Sequence, residues 1–165
     1  MIEMKRGDIV SIRSNTILSK FLSAITGKSS NHIGLAISNT MMIVALPLYG
    51  VDLIDIRKCC AYSIYRYRDM AGQSIADNAI NGVVGYALDR VNKRYDQGLF
   101  IKIYLRLRYI LRTGLNTQEE WFSTKIVLEA FKRVGYDLLP GRTGYSNVDE
   151  VINSKLLYKV GEYNV

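Results

Sequence analysis

The chain has 165 residues, 22 basic against 15 acidic side chains for a net charge of +7, and 48 % of it is hydrophobic. That length suits a single domain over residues 1–165 able to bury a core without staples, and this apolar content excludes a disordered chain. The only cysteines, Cys59 and Cys60, are adjacent, which excludes a disulfide scaffold; with one histidine they cannot complete a closed zinc site, so neither metal nor cofactor is expected.

The start of the chain reaches a turn-like Gly7-Asp8 before any apolar run long enough for a cleaved leader. No stretch approaches the ~20 apolar residues of a membrane span. The expectation is a cytoplasmic protein, or one exported by a leaderless route. Residues 9–12 read as a strand behind the Gly7-Asp8 turn. Residues 16–25 read as a helix that Asn15 can cap and Gly27 stops, with Ile17, Leu18, Phe21, Leu22 and Ile25 on one stripe. Strands follow at 32–37 and 41–46, separated by Ser38-Asn39-Thr40, and then at 51–56 and 62–68. The last has no cleanly apolar face, so it rests on its tyrosine and isoleucine content. The second half turns helical, over 74–91, 98–112, and from a capping-box-like Thr117-Gln118-Glu119-Glu120 to Val134. A short helix at 148–152 and a strand at 156–160 end the chain. Strands first and helices later predict an α+β domain with an antiparallel sheet.

His32 stands in Asn31-His32-Ile33-Gly34-Leu35-Ala36, at the start of a strand after a polar loop. A histidine there can offer one ring nitrogen to a cleft, and its ordinary pKa near 6.5 suits a proton shuttle. A structural histidine with its hydrogen bonds satisfied is the plainer alternative. Ser123 falls in the first turns of an amphipathic helix, where the helix dipole and unpaired amides stabilise a developing anion. Alone, it is equally a helix-start serine. Cys59 and Cys60 follow Arg57-Lys58, which would favour a thiolate, but no base or helix start accompanies them, and they read as strand or loop residues. The 98–112 segment mixes long apolar side chains with Lys102, Arg106, Arg108 and Arg112, and adds Tyr104 and Tyr109. Such a helix can lie on an anionic bilayer, or simply pack with snorkelling arginines. No recognition-helix pattern or stacking platform points to nucleic acid.

Four segments in order carry a resemblance: Gly7-Asp8-Ile9-Val10, Asn31-His32-Ile33-Gly34, Tyr95-Asp96, and Phe122-Ser123-Thr124-Lys125-Ile126-Val127, with Gly50-Val51 ahead of a further strand. From residue 7 to about 138 the chain resembles the circularly permuted papain-like hydrolases. Within them it is most similar to the YiiX and YebB-like group and the lecithin:retinol acyltransferase-like branch of the NlpC-type superfamily. The resemblance implies a permuted papain-like α+β fold whose antiparallel sheet packs against helices, one of them carrying the nucleophile. It implies position 123 as nucleophile, His32 as general base and Tyr95 at the oxyanion. Lys102, Tyr104, Arg106 and Trp121 would face the substrate.

Two departures stand out. Ser123, a far weaker nucleophile without an activated base, stands where the family has cysteine, and reads first as an inactivating Cys-to-Ser change, with a serine enzyme or a dead homologue as alternatives. The strand reading Ile43-Val44-Ala45-Leu46 has no acid or polar residue to orient His32, leaving a backbone carbonyl, Asn31 or Glu120. The permuted order, the basic 98–112 segment and the apolar stretch at 41–48 favour a phospholipid acyl ester as substrate, by hydrolysis or acyl transfer. The alternatives are a peptidoglycan stem-peptide amidase of NlpC type and an inert binding module. A small basic leaderless hydrolase also fits an antibacterial effector, which would need an immunity protein as partner.

Overall fold

The computed structural model describes residues 3–13, 31–46, 50–59, 61–91, 118–143 and 146–164. Six strands form one antiparallel sheet: β1 (Ile9–Arg13), β2 (Asn31–Ala36), β3 (Met41–Leu46), β4 (Gly50–Asp55), β5 (Ala61–Tyr67) and β6 (Leu157–Asn164). Among the described residues three α-helices accompany it: α1 (Asp77–Leu88), α2 (Gln118–Arg133) and α3 (Val148–Ile152). The molecule is therefore α+β, as the sequence predicts. The helices expected at 16–25 and 98–112 lie outside the described residues.

The strand order is β4-β3-β2-β1-β5-β6. β1 to β4 form a meander, after which β5 returns to the free side of β1 and β6 adds the edge. Gly7 starts this arrangement. Its φ of +89° is open to glycine at little cost, and its N–H donates to the Ala36 carbonyl at 2.9 Å, extending the β1–β2 pairing past the strand end.

Both faces of the sheet are buried. On one, Ile9, Ile33, Leu35, Ile43, Ala45 and Val51 pack against Val83, Val84 and Ala87 of α1, Ile126, Val127, Ala130 and Phe131 of α2, and Val148 and Val151 of α3. On the other, Met4, Val10, Ile12, Ala36, Met42, Val44, Ile56 and Ile64 form a second cluster. β3 supplies residues to both clusters, which is why Met41-Met42-Ile43-Val44-Ala45-Leu46 reads as continuously apolar. Part of the stretch that had pointed to lipid is thus a core strand.

Element ends differ from the sequence reading where a glycine or a cap misleads. β6 runs past Gly161 to Asn164, because Gly161 lies opposite Ile64 at a register shift rather than at a strand end. α1 starts at Asp77, three residues later than predicted, with no side-chain cap at Ala76; Ile75 enters the core ahead of it. α3 has a full capping box, Asn147 accepting from the Glu150 N–H and the Glu150 side chain accepting from the Asn147 N–H.

Candidate functional site

α2 lies across β2 and β3 because its buried positions recur at helical spacing. Ser123 and Thr124 continue that buried stripe toward its start, and Ser123 is only 1 % exposed. The Thr124 hydroxyl donates to the Ser146 carbonyl at 2.8 Å, tying the early turns of α2 to the segment that caps α3. The early part of α2 is thus held by packing against the sheet and, through Thr124, by the segment ahead of α3.

Two features bear on what Ser123 can do. α2 begins at Gln118, so Ser123 is its sixth residue. The unpaired amides of a helix belong to its first four residues, and the dipole effect fades over the same turn. The stabilisation expected for a nucleophile at a helix start therefore falls short of position 123. The second feature is the sheet register. His32 lies opposite Ile12, and Gly34 opposite Val10 and Val44. Strand alternation thus groups His32 with the cluster of Val10, Ile12, Ala36 and Val44, while α2 covers Ile33 and Leu35 on the other face. No hydrogen bond among the described residues joins His32 to Ser123.

His32 is half-buried, and its Nδ1 is buried without a hydrogen-bond partner. Burial disfavours the imidazolium and holds the pKa below the ordinary 6.5, so the ring is neutral at pH 7. A neutral imidazole can accept a proton, but nothing described orients it. β3, the next strand, carries no acid, in keeping with the sequence. The side chains of Asn31 and Glu120 are outside the description, as is that of Trp121, although all three residues sit in described elements. Tyr95, Lys102, Tyr104 and Arg106 lie outside the described residues. Cys59 follows a 3-10 turn at Ile56–Lys58, its N–H donating to the Ile56 carbonyl at 2.9 Å; Cys60 is not described.

The sequence reading missed two polar clusters. Asp8, 2 % exposed, takes Arg66 in a two-pronged ion pair, Nε to Oδ1 at 2.6 Å and Nη2 to Oδ2 at 2.7 Å, and also accepts from the Lys5 N–H. The guanidinium is held firmly protonated by that carboxylate. The signal was an arginine in a strand whose acid partner sits just before another strand. The second cluster is a small polar cavity floored by Ser11 and Ser63. Its signal was a serine inside an otherwise β-branched strand.

No protein-family model and no curated protein matches the chain. The fold is similar to that of the metalloprotein YiiX from Escherichia coli O157:H7, with a TM-score of 0.53 over 99 % of each chain at 16 % sequence identity. At that identity the likeness is one of fold.

Proposed function

We propose that the chain is a permuted papain-like acyl-hydrolase scaffold directed at phospholipid, with position 123 as the ancestral thiol position and the present serine leaving it without turnover. One observation carries this reading: Ser123 is buried on a helix that packs against the strand bearing the only histidine. In a working member, a thiolate at 123 attacks an acyl carbonyl, His32 takes and returns the proton, and Tyr95 with a backbone amide holds the oxyanion. The net charge of +7 and the basic, tyrosine-bearing 98–112 segment support an anionic membrane surface as partner. Among the described residues, no helix is long and apolar enough to cross a membrane.

A second reading, an inert binding module, is favoured by the register that sets His32 on the face away from α2. YiiX is a metalloprotein. The described residues do not fit a metal, since no three His, Cys, Asp or Glu side chains gather among them.

The test uses Ser123→Cys beside the chain as it stands, with vesicles containing anionic phospholipid and mass spectrometry of fatty acid and lysophospholipid. Release by the cysteine form alone, abolished by His32→Ala, supports the hydrolase reading. Vesicle binding without release by either form supports the binding module. If neither form binds or cuts, the phospholipid proposal is lost, and peptidoglycan stem peptides become the substrate to try.

A further inference from the structure

The sheet face that packs under the helices is not apolar throughout. At β1 it changes from Ile9 to Ser11 and then Arg13, and on β5 the residue directly opposite Ser11 is Ser63. Two serines facing each other across neighbouring strands bring hydroxyls to a face that elsewhere carries apolar side chains. Ser11 is nonetheless 7 % exposed. Among the described residues no hydrogen bond engages the hydroxyl of either serine, and both residues line a cavity of about 80 Å³ between β1, β5, β6 and α3.

The walls supply the charge. Arg13 and Lys159 line the same cavity, together with Glu162. Lys159 and Glu162 make a close ion pair three residues apart on β6. Arg13 is only loosely held, its nearest carboxylate oxygen being that of Glu162 at 3.9 Å. The three charges leave an excess of one positive, and the chain as a whole carries +7, which draws anions toward it.

We propose that this cavity is a binding site for one tetrahedral oxyanion, a phosphate or phosphate monoester. The Ser11 and Ser63 hydroxyls donate to it from the floor, and the Arg13 guanidinium closes over it in place of its distant contact with Glu162. A planar guanidinium suits two phosphate oxygens at once, and two serines whose Cβ atoms stand about 5 Å apart across the strands bracket the others. The volume has room for one such group. The same chemistry is offered by free phosphate and by a lipid headgroup. The residues that hold the anion all lie on the sheet, and the site stands apart from the reading of position 123.

The test is calorimetric titration of the whole chain with inorganic phosphate, and in a parallel arm sedimentation with phosphatidylcholine vesicles containing phosphatidic acid. The Ser11→Ala/Ser63→Ala variant removes both donors without adding bulk, and its thermal melt should match or exceed the parent's. Saturable phosphate binding with a Kd at or below about 1 mM is expected, at least tenfold weaker in the double variant and in Arg13→Gln. If vesicle binding shows the same dependence, the source is a headgroup; if only inorganic phosphate binds, it is the free ion. The proposal is overturned if the parent shows no saturable binding in either arm, or if the folded double variant binds within twofold of the parent.

Discussion

Replacing Gly34 with alanine tests the β2–β3 geometry directly. A Cβ built there would lie 2.3 Å from the Met42 Cε and 2.5 Å from the Ile43 carbonyl oxygen. The methionine terminus can swing away, but the carbonyl belongs to the backbone of β3, the next strand in the sheet. Relief needs the two strands to part, near Val44 opposite Gly34, where the sheet is buried on both faces. Overpacking of a rigid core costs about 1–3 kcal/mol, and a backbone oxygen places this site at the top of that range, about 3 kcal/mol. With a urea slope of about 2 kcal/mol/M, the unfolding midpoint should fall by about 1.5 M. Gly85→Ala is the matched control. Nothing lies within 4 Å of its added Cβ, and it sits inside α1, so alanine should stabilise by about 0.5–1 kcal/mol. Both are read by urea titration with far-ultraviolet circular dichroism. A Gly34→Ala loss below about 1 kcal/mol would refute the strand spacing argued from these contacts. The glycine of the His-Ile-Gly motif would then need another reason.

Arg66→Met should destabilise by about 3–5 kcal/mol, because it leaves the Asp8 carboxylate buried without its cation; Asp8→Asn/Arg66→Met should recover part of that loss in the same titration. Thr124→Val should cost about 1–3 kcal/mol by stranding the Ser146 carbonyl, with its effect seen as faster hydrogen exchange around α3. His32 predicts a pH dependence with a definite sign. Its folded pKa lies below the unfolded 6.5, so between the two values the unfolded chain binds the extra proton and stability falls as pH falls. Over that window the parent should lose up to about 1.4 kcal/mol per pH unit more than His32→Gln, and equal slopes would remove the burial argument.

Much of the architecture was legible along the chain. β1, β3 and β4 follow from β-branched runs set between Gly7-Asp8, Ser38-Asn39-Thr40 and the turn at Ile56–Lys58. α2 follows from the spacing of Ile126, Val127, Ala130 and Phe131. These signals are local, because a turn or a helical stripe is complete within a dozen residues. β5 gave the weakest reading, and the structure shows why: one face carries Ser63 and Tyr65 toward a cavity and the other carries Arg66 to Asp8, so neither is uniformly apolar.

What the sequence determined by itself was most of the elements among the described residues, the single histidine and the hydroxyl at position 123. Only the tertiary structure decided how they stand to one another. That β5 pairs with β1 rather than β4, that Asp8 meets Arg66 across 58 residues, and that Ser11 faces Ser63 are consequences of strand order, which no local pattern encodes. The same holds for the site. His32 and Ser123 were paired by motif order, whereas the face each occupies depends on register, where a slip of one residue turns every side chain to the other side.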